Sequence, residues 1–365
     1  MAWVQKLPSG KWRGVYRDTS GKQCSAGTWH YKDRALAEAN KAEGVARHDP
    51  KVTTNLTVSE WLPRWRSGRN VQESTARQDE SKLTHHVIPR WGSVKLSDVT
   101  VEQVAAWQKK LADDGLSAST VTKIVNLLSS VLQSAVVAGT LETNPARKVK
   151  RPKAGVSPER FLTRAEADAV RLGLHGFDRL IFDVLIGTGC RWGEAVALTW
   201  DAVDFDNGML HVAMSYDRTA KFFKPTKSHA DRRIPVGESL LALLSARLDE
   251  VGFGVPPKLP FREVPKPRSG LILPNSVGEP YDGALFAHRL DAAGRAASVG
   301  EGARRRYVGH IRPHDTRHTY ASWLVQAGIP IQEVQRLLGH QSIATTEKYA
   351  RLAGSQHDAV RAALG

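Results

Sequence analysis

The stretch His310-Ile311-Arg312-Pro313-His314-Asp315-Thr316-Arg317-His318-Thr319-Tyr320 opens a helix. Pro313 suits the first helical position, where a missing N–H costs nothing and φ is already helical. His314 and Arg317 then share a face at i, i+3 within the first turn. Unpaired N–H groups and the positive end of the helix dipole add to them. Histidine, arginine and helix start, converging, make an anion site. Taken alone, the patch reads first as an ordinary capped helix with polar residues outward, so its weight depends on what the rest of the chain brings.

Two further patterns bring it weight. In Gly187-Thr188-Gly189-Cys190-Arg191-Trp192-Gly193-Glu194, the glycines permit a tight turn after the apolar run 180–186. Arg191 then starts a helix, and Glu194, one turn on, can hold its guanidinium; a buried structural salt bridge is a fair competing role for Glu194. Near the C-terminus, residues 330–338 read as a helix with Ile331, Val334, Leu337 and Leu338 inward, stopped by Gly339. His340 follows the stop. Ser342 is expected to cap a further helix carrying Thr346 and Tyr349. A lone tyrosine there is ordinarily a core or rim residue, and its case rests on the ensemble.

The ensemble has a chemical logic. Attack on a phosphodiester builds negative charge on the non-bridging oxygens, which two arginines and a histidine can neutralise without metal. A phenol can attack and store the bond as a phosphotyrosine ester. The leaving 5′-oxygen needs a proton, and a lysine can supply it. Lys227 is the candidate. It precedes the strand-like Arg232-Arg233-Ile234-Pro235-Val236 and would lie at a hairpin tip, with Lys221 and Lys224 as alternatives.

The chain has 365 residues and a net charge of +15. That length favours two or three domains, and the charge favours a polyanionic partner. Arginine is prominent and often clustered, which suits two-point grip on phosphate. The two cysteines, Cys24 and Cys190, make no disulfide framework and fit a reducing cytoplasm. No signal peptide and no membrane-spanning apolar run are read in the chain.

Three textures divide it. Residues 1–50 read as a small β-sheet closed by an alanine-rich helix over roughly 32–47, with Lys11, Arg13, Arg17 and Lys22 around aromatics. That unit is either a DNA-binding module or a folded cap. Residues 57–148 read as all-α. Thr57-x-x-Glu60 and Thr100-x-x-Gln103 are capping boxes. Val104, Trp107 and Leu111 form one core stripe; Val121, Ile124, Val125, Leu128, Val131 and Leu132 form another. Pro63 is expected to kink the first helix, and Asn144-Pro145 to end the last. A charged connector over 147–160 follows, then a mixed, mainly α unit over 157–365 with a proline-rich loop at 255–268.

These motifs together resemble the tyrosine recombinases, the phage-integrase family. The family signature is an arginine in Thr-Gly-x-Arg-x-x-Glu, a β-hairpin lysine, His-x-x-Arg, a Gly-His step and a tyrosine nine residues after that histidine. It is met by Thr188 to Glu194, Thr226-Lys227-Ser228, His314 to Arg317, Gly339-His340 and Tyr349. Thr316 and Ala195 stand where leucines are frequent. The resemblance implies a catalytic domain over 157–365 in which Arg191, Lys227, His314, Arg317 and His340 assist Tyr349. It implies a helical core-DNA-binding domain over 57–148 and an arm-DNA-binding-like β domain over 1–50. It further implies a site-specific integrase acting through a 3′-phosphotyrosine on a phage or mobile element, with no cofactor and no metal. The implied partners are double-stranded DNA at attachment sites, a homotetramer of the chain, a host DNA-bending protein and a directionality factor, in the cytoplasm on the nucleoid.

Three other classes fit the sequence less well. A type IB topoisomerase shares the chemistry but does not call for the arm-like N-terminus. A silent DNA-binding regulator would be expected to have lost some of the six polar residues. A metal nuclease or transposase needs clustered carboxylates, which the sequence lacks, and His314 with His318 at i, i+4 has no third zinc ligand beside it.

Overall fold

A computed structural model describes residues 2–17, 21–48, 55–153, 155, 159–226 and 231–352. The chain divides into two compact units, 1–156 and 157–365.

The first unit begins with an antiparallel sheet in the order β1 (Trp3–Lys6), β2 (Trp12–Arg17), β3 (Gln23–Trp29). Strand β1 was not read from the sequence. Helix α1 (Lys32–His48) covers one face, with Ala35 and Ala39 fully buried along with Val15 of β2. Cations lie over the sheet's tryptophans: Lys6 and Lys32 over Trp12, and Arg17 over Trp3.

Six helices follow: α2 (Val58–Ser67), α3 (Glu73–Lys82), α4 (Ile88–Trp91), α5 (Val101–Asp113), α6 (Ala118–Val137) and α7 (Pro145–Lys148). Both expected capping boxes form, at Thr57 with Glu60 and at Thr100 with Gln103. Helix α2 continues through Pro63 to Ser67. The core gathers Trp61, Trp65, Trp91 and Trp107 around the α6 stripe, with Trp91 and Trp107 edge to face at 5.6 Å. Helix α6 ends at Val137; Asn144 instead caps α7, its side chain accepting from the Ala146 N–H. By length and composition α6 is apolar enough to cross a membrane, contrary to the expectation of no such run. Its buried stripe in this core accounts for that apolarity. The start of the connector is tied down, since Arg151 donates to Asn126 and to the carbonyls of Ala146 and Val149.

The second unit is mainly helical with small sheets. Its elements are α8 (Arg164–Gly173), α9 (Gly176–Thr188), α10 (Trp192–Ala195), β4 (Val203–Asp204), β5 (Met209–Val212), β6 (Met214–Asp217), β7 (Phe222–Pro225), β8 (Arg232–Pro235), α11 (Glu238–Val251), α12 (Gly283–Ala296), β9 (Ser298–Val299), β10 (Arg306–Tyr307), α13 (Pro313–Gln326), α14 (Ile331–Leu338) and α15 (Ala344–Glu347). One core holds α9 and α13 together through Phe182, Leu185, Tyr320 and Ala321. Strand β7 pairs with β6 while β8 pairs with β5. The strands that flank Lys227 in the sequence, β7 and β8, thus belong to different sheets. Lys227 itself lies outside the described residues, as do Asp18, Thr19 and Ser20 of Asp18-Thr19-Ser20-Gly21-Lys22, a stretch that reads as a turn. The proline-rich loop lays Phe261 on Phe223 of β7, rings stacked at 4.7 Å.

Candidate active site

Two left-handed glycines shape the site. Gly189 (φ +61°) ends α9 and Gly339 (φ +65°) ends α14. A side chain at Gly189 would run into the Tyr320 ring, so the turn that presents Arg191 needs glycine for space as well as for φ. Each helix end leaves carbonyls without intrahelical partners, and arginines take them. Arg317 donates to the carbonyls of Gly189 (2.7 Å) and Leu338 (2.6 Å). Arg232 donates to that of Leu337 at 2.7 Å, and Arg191 to that of Gly339 at 3.4 Å. Guanidinium groups at the negative ends of two helices are favourably placed, which helps three like charges share one site.

Glu194 is the acid that binds two of them. Its carboxylate accepts from Arg191 at 2.8 Å and from Arg232 at 2.6 Å, and caps the Arg191 N–H at 2.9 Å. Burial opposes its charge, but the Arg232 hydrogen bond and charge, with Arg191, hold its pKa down to about 2. Arg317, 2 % exposed, is brought down to about 10 by burial and by Arg191. Arg232 was read only as part of a strand. The alternation along β8 turns it inward beside Ile234, and its Nη1 is buried with no hydrogen-bond partner among the described residues. A phosphate oxygen suits such a donor.

The histidines surround this cluster. His314 follows Pro313 at the N-terminus of α13, which Asp315 closes by accepting from the Arg312 backbone and side chain. His314 is exposed, and the protein around it, then Arg317 and Lys348, lower its pKa. His340 is half-buried, its Nδ1 2.9 Å from the Thr346 hydroxyl. Burial, Arg317 and Arg191 bring it down to about 3. Both imidazoles therefore favour the neutral form at neutral pH.

Tyr349 is 2 % exposed. It lies in a turn just past α15, which begins at Ala344 with no side-chain cap, so the expected Ser342 cap does not form. Its hydroxyl oxygen is 2.5 Å from Nδ1 of His318. Burial, then Glu159, push the phenol pKa up. Lys348 pairs with Glu159 and lies over the Tyr349 ring at 4.9 Å from its centroid. His318 was dismissed along with the zinc reading; its signal was its place on the Arg317 turn, one helical turn after His314. Of the six predicted site residues, the structure gathers Arg191, His314, Arg317, His340 and Tyr349 around α9, α13 and α14. Among the alternatives to Lys227, Lys224 is bound to Asp217 at 2.8 Å, and Lys221 is exposed in the β6–β7 turn. A cleft of about 700 Å³ opens beside the arginines, lined by Arg232, Arg233, Gln335, Arg336 and His340.

Comparison with known proteins identifies the family and the fold. The phage integrase family model matches residues 165–356, and the phage integrase central domain matches 56–152. The chain belongs to the phage integrase family, and it is a tyrosine recombinase, an enzyme of site-specific DNA recombination. An integrase of Streptomyces ambofaciens is 27% identical over 85% of this chain and 78% of its own length. The tyrosine recombinase XerD of Pseudomonas aeruginosa is 26% identical over 68% and 75%. Among solved structures, the Tn1549 transposon integrase in complex with a circular intermediate DNA shares the fold with a TM-score of 0.68, at 21% identity, over 85% of this chain and 98% of that one.

Proposed function

We propose that this chain integrates or excises a phage or mobile element, cleaving each DNA strand with Tyr349 to form a 3′-phosphotyrosine and rejoining it by the reverse step. The observation that carries the proposal is the cluster of Arg191, Arg232 and Arg317, the first two bound to the Glu194 carboxylate, beside two neutral imidazoles and a buried tyrosine. Three positive charges against one negative leave a site that favours an anion. A phosphodiester gains negative charge on its non-bridging oxygens as the phenol attacks. Arg191 and Arg317 meet that charge, and His314 and His340 add N–H donors without adding charge. Lys227 is the acid that protonates the leaving 5′-oxygen.

The helical domain over 57–148 grips the core DNA site, and the basic sheet over 1–50 takes arm sites. The integrase of phage lambda has been solved as a tetramer bound to a Holliday junction; a tetramer on two duplexes is the assembly proposed here, with a host bending protein and a directionality factor beside it, on the nucleoid in the cytoplasm. The test is a nicked suicide duplex built from DNA flanking the gene. Cleavage traps the protein on DNA in a complex that survives denaturation. Specific binding without any trapped complex would overturn the proposal.

A further inference from the structure

We propose that His318 is the proton acceptor of the nucleophile: the Tyr349 hydroxyl donates to His318 Nδ1 and passes its proton there as its oxygen bonds to phosphorus. This rests on the reading of Tyr349 as the attacking group.

The geometry carries it. The Tyr349 oxygen lies 2.5 Å from His318 Nδ1, with ring centroids 5.8 Å apart, and both side chains are buried away from competing water. A phenol is a poor nucleophile until its proton leaves, and burial with Glu159 nearby makes this one hold its proton harder than usual. The attacking oxygen therefore needs a base within reach, and His318 is the group its hydroxyl touches. The groups facing His318 come from three segments. Glu159 approaches Nδ1 to 3.8 Å, Lys348 pairs with that glutamate, and His314 packs edge-on at 4.7 Å, with Asp315 on the same helix. Burial, then Lys348 and His314, hold the imidazole down to about 4, so at neutral pH its lone pair is free to accept. Once it is protonated, Glu159 faces the new charge.

The step balances. An O–P bond forms from Tyr349 and the P–O5′ bond breaks. The phenol proton moves to His318, and the 5′-oxygen takes its proton from the separate acid. In rejoining, the 5′-hydroxyl attacks and returns its proton to the conjugate base of that acid, the O–P bond to Tyr349 breaks, and tyrosine leaves as the phenol, recovering the proton from His318. A weak base suffices, because the phenol proton grows more acidic as the O–P bond forms.

The decisive variant is His318→Asn, whose side-chain oxygen can take the place of Nδ1 as a hydrogen-bond acceptor but not as a base. Single-turnover adduct formation on the nicked duplex should fall about 100-fold or more, with DNA affinity unchanged. Installing trifluorotyrosine at position 349, whose phenol ionises far more readily, should shrink that loss to within about tenfold. A loss of the same size with both phenols, or His318→Asn within about threefold of the unmutated chain, overturns the assignment. Should His318→Asn fail to fold, the unmutated chain decides. On a substrate with sulfur at the bridging 5′ position, adduct formation should show a solvent isotope effect that disappears with trifluorotyrosine, and its absence from the start overturns the assignment. Tyr349→Phe separates the two readings. Adduct from that variant overturns the nucleophile itself, whereas no adduct from it beside undiminished adduct from His318→Asn overturns only His318.

Discussion

Glu194 holds two arginines that would otherwise repel, and its ionisation should be visible in stability. Its folded pKa, about 2, lies below the 4.5 of an unpaired carboxyl. Its stabilisation is therefore complete above pH 4.5 and disappears as pH falls toward 2, amounting to roughly 3 kcal/mol. His318 and His340 act earlier in an acid titration. Their folded values, about 4 and about 3, lie below 6.5. The unfolded chain binds protons below pH 6.5 that the folded chain refuses, so stability falls as pH drops from 6.5 toward those values. The urea midpoint of the catalytic unit's transition should drop between pH 7 and pH 5, and His340→Gln should flatten the drop. A midpoint unchanged over that range would contradict burial of neutral imidazoles. Arg232→Met should lower stability by about 3–5 kcal/mol, because it leaves a buried carboxylate with one partner fewer. A loss below about 1 kcal/mol in denaturant unfolding would show that Arg232 does not hold Glu194.

At the scale of elements, helix ends build the site. Gly189→Ala forces a side chain into the Tyr320 ring at a positive φ. It should cost at least about 1–3 kcal/mol and displace Arg191, lowering adduct yield more than DNA binding. A thermal midpoint and yield matching the parent chain would refute that role for the α9 terminus. The same helices show what could be read beforehand. The capping boxes at Thr57 and Thr100 and the long stripe of α6 repeat one signal over several turns, and their helices stand where expected. Strand β1 has only four residues, too few for a period to emerge. The pairing of β7 with β6 rather than β8 is a tertiary choice between strands of four residues each. Asn144 was misassigned because Asn-Pro marks a helix start as readily as a stop, and here it caps α7. Within the site, Arg191, His314, Arg317, His340 and Tyr349 were legible from their spacing. The placing of His318 and Arg232 beside them was not, because it depends on which face of α13 and β8 turns inward.

At the scale of the whole molecule, a net charge of +15 predicts binding dominated by phosphate contacts. Affinity for DNA should fall about a thousandfold between roughly 50 and 200 mM salt, and a flat affinity over that range would contradict it. The helical core around Trp61 and Trp107 includes none of the described residues among 1–50. Deleting those residues should spare cleavage at core sites and block integrative recombination, and a truncated chain that integrates normally would remove the arm-site role. The most direct measurement is of the covalent bond itself. DNA trapped on the protein from a suicide duplex is digested together with it, and the nucleotide-bearing peptide is sequenced by mass spectrometry. A nucleotide attached through its 3′-phosphate to Tyr349, absent in Tyr349→Phe, is the predicted result; attachment at any other residue, or an adduct that persists in Tyr349→Phe, would contradict it.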